Sequence, residues 1–305
     1  MYCQRLRTSR LSNDCWRDNN AAGCGTARTI GPACDTAVTD TNLSGIRIVS
    51  EKDFLETAEE AARKAGEVLE SWTKKFTARE KSPANLVTEA DFAAQEVIYN
   101  LIHARYPDHN FLGEEGLAET NSDSPYRWVI DPLDGTSNYV HHFPYYAVSI
   151  GLECAGDLVA GVIFDPNRDE LFSAVQGRGA ALNGDPIRPT DVGSLGQAMV
   201  VASLPVGVGP DDPAVDRFLR VMPRAQTVQR TGSAALNLAY VAGGRMDAFW
   251  SSSLKPWDTA AGALLVTEAG GRISKMSGGP FDIEVPDLLS SNGSSIHEEL
   301  QQLLE

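Results

Sequence analysis

Apolar positions divide the chain into a first region without a period and a long region with clear periods. Residues 1 to about 46 show neither the helical period of 3.6 nor the strand period of 2. From Ser50, apolar residues recur at helical spacing and predict a helix of about 20 residues, with Ser50 and Asp53 as its capping box. A second helix is predicted between Thr88, which can cap it, and Pro107, which ends it.

The next segments predict strands, and then a change of architecture. The segments NFLGEE, RWVID, YAVSIGLE, LVAGVIFD and ELFSAVQGRGA are strand-like, and they predict an antiparallel sheet. Beyond them, MVVASLP, AQTVQRT and MDAFWS alternate as strands with the helical segments PAVDRFLRVM, SAALNLAYVAGG and DTAAGALLVTEAGG. Such alternation is typical of an α/β arrangement. We therefore predict a disordered or atypical extension over 1–46, an α+β half over 47–188 and an α/β half over 189–305.

Charge and cysteine usage limit the classes of function. The 305 residues include 26 Lys+Arg and 41 Asp+Glu, a net charge of −15 that argues against general nucleic-acid binding. No apolar run approaches the roughly 18 to 20 residues of a membrane helix. Four of the five cysteines lie in the first 34 residues, at spacings that match neither a disulfide scaffold nor a zinc site: Cys3, Cys15, Cys24 and Cys34. The single cysteine in the remainder suits a reducing compartment, so a cytoplasmic location is expected.

Two carboxylates three positions apart end an apolar run in the segment WVIDPLDGTSN. Asp131 follows Trp128, Val129 and Ile130, so its carboxylate should emerge at the carboxyl end of a strand, where sites in sheets usually lie. Gly135 permits a tight turn whose amides can face an anion. Taken alone, the segment is equally typical of a surface turn.

Two further acidic segments favour a cation site. Glu114 and Glu115 end an apolar strand in FLGEEG, and Asp258 stands at a helix start in KPWDTAAG, where a plain N-cap is the alternative. Hard cations such as Mg²⁺ prefer oxygen ligands, and carboxylates brought together repel one another unless cations neutralise them. Paired metal ions can activate water for phosphoryl transfer. Because these carboxylates could hold two or three metal ions, they predict phosphoryl-transfer chemistry.

The three segments resemble those of the inositol monophosphatase-like, Mg²⁺-dependent phosphatases. The marks are GEEG at 113–116, DPLDGTSN at 131–138 and WDTAAG at 257–262, in the family's order, and the likeness extends over about residues 50–300. It implies a layered αβαβα sandwich of the inositol monophosphatase and fructose-1,6-bisphosphatase type. It also implies a homodimer that uses two to three Mg²⁺ ions and acts on a small phosphorylated sugar or cyclitol.

The resemblance also implies a set of metal ligands. A first metal would be bound by Glu114, Asp131 and the backbone carbonyl of Leu133. A second would be bound by Asp131, Asp134 and Asp258, and a third would contact Glu114 through water. No nucleic acid or membrane is expected as a partner.

The catalytic and substrate-binding residues are carried over in the same way. Thr136 paired with Asp91 would position and deprotonate the attacking water, with help from Glu114, and Lys81 is a candidate for a lysine near the third metal. The residues expected to contact substrate are Asp134, Gly135, Thr136, Gly232, Ser233, Ala234, Ser251 and Asp258. For Ser233 a helix cap is a second interpretation, and both can hold together.

The substrate itself stays open at this point. Ser251 stands where the animal-type enzymes have a Glu that binds substrate hydroxyls, and a Ser can satisfy fewer of them. We expect myo-inositol 1-phosphate, with fructose 1,6-bisphosphate, histidinol phosphate and adenosine 3′,5′-bisphosphate as alternatives that share the metal motif. The sequence shows no clear aromatic or basic pocket for a nucleotide. The alternative from another class of function is a binding role. Some bacterial relatives act as partners of the transcription machinery.

Overall fold

The computed structural model describes residues 51–82 and 85–305. The expected extension over 1–46, its four cysteines and Ser50 lie outside the described residues. In the described ranges no helix is long and apolar enough to cross a membrane.

The helices and strands follow the predicted order. The helices are α1 (Glu51–Trp72), α2 (Glu89–Arg105), α3 (Thr136–Val140), α4 (Pro213–Val221), α5 (Ala234–Ala242), α6 (Pro256–Glu268) and α7 (Ile296–Leu304). The strands are β1 (Arg79–Ser82), β2 (Asn85–Val87), β3 (Asn110–Gly113), β4 (Ala118–Glu119), β5 (Tyr126–Asp134), β6 (Ala147–Cys154), β7 (Asp157–Asp165), β8 (Glu170–Val175), β9 (Ala180–Leu182), β10 (Asp185–Pro186), β11 (Met199–Ser203), β12 (Thr227–Gln229), β13 (Ala248–Ser251), β14 (Arg272–Ser274) and β15 (Leu288–Ser291). Helices α3 and α7 and the short strands were not predicted from the sequence as separate elements: β1, β2, β4, β9, β10, β14 and β15.

A sheet of eight strands forms one layer, in the order β10-β9-β8-β7-β6-β5-β3-β4. Its strands are antiparallel neighbours except for β3 and β5, which are parallel. The prediction of a purely antiparallel sheet is therefore wrong at this pair. The short strand β4 returns the chain to the start of β3, so β5 enters the sheet in the same direction as β3.

A second sheet, in the order β12-β11-β13-β15-β14, confirms the predicted α/β alternation. Strand β11 lies between β12 and β13 and is parallel to both, whereas β15 is antiparallel to its neighbours β13 and β14. The returning strand β15 was missed because the loop that precedes it carries no strand period.

The layers are helices, sheet, helices, sheet and helices, which confirms the αβαβα sandwich. Apolar residues of α1 and α2 share one core with the larger sheet, those of α5 and α6 share a second core with both sheets, and those of α4 and α7 cover the smaller sheet. Helix α6 approaches the larger sheet closely, since a Cβ on Gly151 would come within 2.8 Å of the Ala260 side chain. This contact brings the start of α6 to the end of β5. Because α5 and α6 pack on both sheets, the division into halves at 188/189 stays a prediction.

Candidate active site

Strand β5 carries two of the predicted metal ligands at its carboxyl end. Asp131 is paired with Ser149 of β6 and Asp134 with Ala147, and the register shifts between these two pairs. Residues three apart point to opposite faces of a regular strand, so this irregularity lets both carboxylates lie on one side.

Asp258 completes a cluster of three carboxylates. One oxygen each from Asp131, Asp134 and Asp258 lies within 4.8 Å of the others. Asp258 stands in the first turn of α6, where its Oδ2 accepts a hydrogen bond from the Lys255 amide at 2.7 Å. The N-cap alternative for Asp258 is therefore wrong: Lys255 is the N-cap, and Asp258 is the third residue of the helix, whose carboxylate accepts from the capping residue's amide.

The three carboxylates are electrostatically unfavourable to one another. Burial raises the pKa of Asp131 well above its usual value, and the charges of Glu114, Asp134 and Asp258 raise it further. Burial also raises the pKa of Asp258 to about 8, with the charge of Asp134 adding to it. The pKa of Asp134 rises to about 6 through burial, although hydrogen bonds from Ser233 and two backbone amides oppose the shift. A hard divalent cation would relieve this repulsion, and an all-oxygen donor set is the kind it prefers.

Glu114, also a predicted ligand, lies outside the cluster of three. Its Oε1 accepts a hydrogen bond from Lys81 Nζ at 3.0 Å, and the same ammonium donates to Glu115 Oε1 at 2.5 Å. Burial raises the pKa of Glu115 to about 7, and Lys81 opposes that shift. The backbone amide of Glu115 donates to Gln95 Oε1 at 3.1 Å, which fixes this turn against α2. Lys81 thus lies beside Glu114 as the resemblance implied, and the ligand role of Glu114 stays a prediction.

The structure brings Thr136 and Asp91 together. The Thr136 hydroxyl is 3.1 Å from Asp91 Oδ1, and Asp91 Oδ2 accepts from the amide and the hydroxyl of Thr88 at 2.9 and 2.7 Å. Asp91 is fully buried, and burial raises the pKa of its carboxyl group. The capping box of α2 therefore fixes one oxygen of Asp91 and directs the other toward Thr136.

The turn after β5 is connected to the start of α5. Asp134 accepts hydrogen bonds from the Ser233 hydroxyl and from the amides of Ala234 and Ala235, the amides at 3.2 and 2.8 Å. The Ser233 hydroxyl also caps α5 by accepting from the Leu236 amide at 3.2 Å. Ser233 is fully buried, so in this structure it orients a carboxylate instead of facing a substrate.

Asn138 is a positioning residue that sequence reasoning missed. Its amide donates to the carbonyls of Tyr145 and Thr231 at 2.7 and 2.8 Å, which joins the β5 turn to the turn before α5. Between them, Gly135 has φ +96°, and a Cβ there would lie 3.1 Å from the Tyr145 carbonyl. The only sequence signal was the place of Asn138 at the end of DGTSN.

These elements surround a cleft of about 730 Å³. Predicted site residues that line it are Glu114, Asp134, Gly135, Thr136, Gly232, Ala234 and Asp258, while Asp91, Asp131, Leu133, Ser233 and Ser251 lie behind the lining. Ser251 is 1% exposed, and Ser253 lines the cleft near it.

The sequence shows no clear basic pocket for a nucleotide, and the cleft holds cations beside its carboxylates. Lys81, Arg230 and Lys255 all line it. These cations come from three separate segments of the chain, so no local motif reveals that they meet.

Comparisons with known proteins agree with this geometry. The sequence pattern of the inositol monophosphatase family matches residues 50–305. The chain is 41% identical to inositol monophosphatase 2 of Solanum lycopersicum, over 79% of this chain and 94% of that one. It is 40% identical to Nus factor SuhB of Pseudomonas aeruginosa, over 78% of this chain and 91% of the relative. The crystal structure of extragenic suppressor protein suhB from Bartonella henselae superposes with a TM-score of 0.79 at 36% identity, covering 83% of this chain and 98% of that chain.

Fold and site together define a phosphatase with an acidic centre at the end of a strand. The chain belongs to the inositol monophosphatase family. Members of this family are metal-dependent and act on small phosphorylated substrates, and Asp131, Asp134 and Asp258 could hold a metal ion here.

Proposed function

We propose that this protein is a Mg²⁺-dependent phosphomonoesterase for a small sugar or cyclitol phosphate, with myo-inositol 1-phosphate as its first substrate. The observation that carries the proposal is the cluster of three mutually repelling aspartates in a cleft that also holds Thr136, itself bonded to Asp91. Such a cluster is costly unless a cation and its anionic ligand occupy the site. The proposal includes a cytoplasmic homodimer.

Two to three Mg²⁺ ions would be held by Glu114, Asp131, the Leu133 carbonyl, Asp134 and Asp258. Metal bound there would lower the pKa of a water molecule and offset the charge of the phosphate. Asp131 would contribute most to metal binding, because it is the most deeply buried of the three aspartates and is close to both others. The bonds from Ser233, Ala234 and Ala235 fix the orientation of Asp134 before any ligand arrives.

Thr136 and Asp91 would accept the proton of the attacking water. The Thr136 hydroxyl donates to Asp91, so its oxygen lone pairs remain able to accept a hydrogen bond from water. As the water attacks phosphorus, its proton passes to the Thr136 oxygen and the hydroxyl proton passes to Asp91. Burial raises the pKa of Asp91 and makes it a stronger base than an exposed carboxylate. Glu114 would assist by holding the water.

The leaving alkoxide would depart on the side opposite the water and take up a proton from solvent, and no covalent enzyme intermediate forms because water itself is the nucleophile. The amides of Gly135 and Thr136 would donate to phosphate oxygens in the tight turn. Gly232 and Ala234 line the cleft and would contact the sugar or cyclitol.

The experiment is an assay of phosphate release by the purified protein, with Mg²⁺ and with EDTA. The panel contains myo-inositol 1-phosphate, fructose 1,6-bisphosphate, histidinol phosphate and adenosine 3′,5′-bisphosphate. We expect release that depends on Mg²⁺. Absence of release from every compound would overturn the proposal.

A second candidate is a role in the transcription machinery, which the name of the Pseudomonas relative favours. The net charge of −15 opposes direct contact with RNA. Copurification of the Asp131→Asn variant with RNA polymerase would support this role, because that change removes a buried carboxylate and leaves the surface intact.

A further inference from the structure

Two residues beside the cleft, Tyr145 and Thr231, are joined to each other twice. Asn138 joins them through the backbone, because its amide donates to both of their carbonyls at 2.7 and 2.8 Å. Asn237 of α5 joins the same two residues through their side chains. Its Oδ1 accepts from the Thr231 hydroxyl at 2.6 Å and from the Tyr145 hydroxyl at 3.0 Å. Two asparagines from distant segments thus make one connection.

Asn237 makes its bonds from a buried position behind the cleft. It is fully buried, whereas Thr231 and Asn138 line the cleft. Side chains of an α-helix lean toward its N-terminus, which is the direction in which Thr231 precedes α5. Asn237 therefore acts on a ligand in the cleft through the residues it holds.

The Asn237 side chain is used as an acceptor. Its amide nitrogen is buried and has no hydrogen-bond partner within residues 51–82 and 85–305, and a buried unpaired donor costs stability. Burial raises the pKa of Tyr145, so its hydroxyl stays protonated and needs an acceptor. What this position supplies is one uncharged oxygen that accepts from two hydroxyl groups.

The turn that begins with Thr231 packs tightly against the turn after β5. Gly232 has φ +91°, and a Cβ there would lie 2.9 Å from the Asn138 amide nitrogen. A Cβ on Gly135 would lie 3.3 Å from the Gly232 carbonyl oxygen. A shift of Thr231 would therefore change the separation between Gly232 and Gly135, which line the same cleft.

We propose that Asn237 is a positioning residue for substrate selectivity. Through the Thr231 hydroxyl it holds Gly232 at the distance from Gly135 at which the carbon skeleton of a cyclitol or sugar phosphate fits. The inference rests on the proposed function, which places the phosphate at Gly135 and the carbon skeleton at Gly232. Without the Asn237 bond the backbone connection made by Asn138 remains. The loss should then affect compounds that contact the Gly232 turn more than compounds that do not.

The test compares two substrates: the best substrate of the panel above, and 4-nitrophenyl phosphate, which has no hydroxyl groups and has an activated leaving group. Asn237→Leu removes the acceptor at similar side-chain size. For the panel substrate we expect KM to rise about tenfold while kcat stays within about threefold. For 4-nitrophenyl phosphate we expect both constants to change less than about twofold. A general defect in folding or metal binding would alter the two substrates alike.

Two further variants locate the effect in one hydrogen bond. Thr231→Val removes the donor, so it should raise KM as Asn237→Leu does, and the double variant should be no worse than either single variant. Asn237→Asp keeps an acceptor oxygen in either protonation state and should hold KM within about twofold of the wild type. Thr231 is partly exposed, so Thr231→Val decides the question if Asn237→Leu does not fold.

Asn292→Leu is the matched control. Asn292 is also a buried asparagine that joins two segments, since its amide donates to the Thr190 hydroxyl and the Val192 carbonyl at 2.9 and 2.8 Å. It is not among the described residues that line the cleft. Its loss should lower stability and leave both KM values of the folded protein unchanged.

The outcomes separate the two proposals. The inference is overturned, and the proposed function stands, if Asn237→Leu and Thr231→Val leave KM unchanged or raise it equally for both substrates. The same holds if their effects multiply in the double variant, because Thr231 would then act without Asn237, or if Asn237→Asp raises KM as Asn237→Leu does. Absence of release by the wild type from every compound overturns the proposed function, and the inference falls with it.

Discussion

Two clusters of buried polar side chains differ in whether the protein itself supplies favourable partners for their polar groups. Asp131, Asp134 and Asp258 place three carboxylates within 4.8 Å of one another. Ser274, His297 and Ser291 form the second cluster, under α7 in the other half of the sandwich.

The serine and histidine cluster completes its own hydrogen bonds. Ser274 donates to the Lys275 carbonyl at 2.7 Å, so it accepts from His297 Nε2 at 2.8 Å, and His297 Nδ1 then accepts from the Ser291 hydroxyl at 2.9 Å. Burial lowers the pKa of His297 to about 4, which keeps the ring neutral in this arrangement. No partner is missing among these groups.

The aspartates have the opposite character, because the charges of Asp134 and Asp258 raise the pKa of Asp131, and the charge of Asp134 also raises that of Asp258. Burial alone therefore does not mark a functional residue, since both clusters are buried. What distinguishes the candidate site is like charge that no basic side chain of the cluster offsets, so that only protonation or a bound cation relieves it. Substitutions at Asp131 and at His297 test this difference directly.

The largest effect is expected for Asp131→Asn. Loss of this carboxylate should reduce phosphate release about 1,000-fold or more, because a neutral amide is a poor ligand for a hard cation. The measurement is kcat with saturating Mg²⁺, and Asp185→Asn, an exposed position on β10, is the control. Near-normal turnover in the Asp131 variant would show that the cluster is not the metal centre.

Thr136→Ala should reduce kcat about 100-fold, the usual scale of a proton-transfer contribution. Binding of Mg²⁺, measured by calorimetry, should change little because the three aspartates remain. Thr136→Ser keeps the hydroxyl and should restore most of the rate. If Thr136→Ala abolishes metal binding together with catalysis, the assigned role is wrong.

His297→Ala tests the other cluster. It should lower the free energy of unfolding by about 2–4 kcal/mol, because it leaves a cavity and unpaired serine hydroxyls. Urea denaturation measures this change, and His141→Ala at an exposed position should stay within about 0.5 kcal/mol. The kcat per folded molecule should be unaltered, and a large loss of kcat would mean that the cluster takes part in function.

The smallest effect concerns pH. In EDTA, the pKa values of about 6 for Asp134 and about 8 for Asp258 exceed the ordinary value of 3.8 for an aspartate, so the folded state binds more protons and stability falls as pH rises toward 8. His297 acts in the opposite sense, since its pKa falls from 6.5 to about 4 and stability is lost as pH drops through that window.

Between pH 6.5 and 8 the aspartates therefore dominate, and the melting temperature in EDTA should fall by about 2–6 °C. Mg²⁺ should remove most of that fall. A melting temperature that is flat over this range in EDTA would contradict the repulsion assigned to the cluster.

Local patterns predicted much of the carboxylate wall. The apolar run before Asp131 and the capping residues Thr88 and Asp91 are contiguous signals, and the structure places them as expected. The family resemblance added the roles of Asp258 and Thr136, which lie far apart in the sequence but share the cleft.

The cations of the cleft could not be predicted in the same way. Arg230 and Lys255 line one cleft because β12, β11 and β13 are parallel neighbours, and strand order is a property of long-range pairing. The burial of Ser251 and the return of the chain through β4 have the same origin. Nothing within a few residues of these positions records which strand will be the neighbour.

The most direct measurement is a Mg²⁺ titration of metal-stripped protein by calorimetry, followed by phosphate release from myo-inositol 1-phosphate in the same samples. We predict saturable binding that rises together with activity in the wild type, with neither in Asp131→Asn. Phosphate release at full rate in EDTA, or Mg²⁺ binding that is equal in the two proteins, would contradict the assignment of the three aspartates as the metal centre.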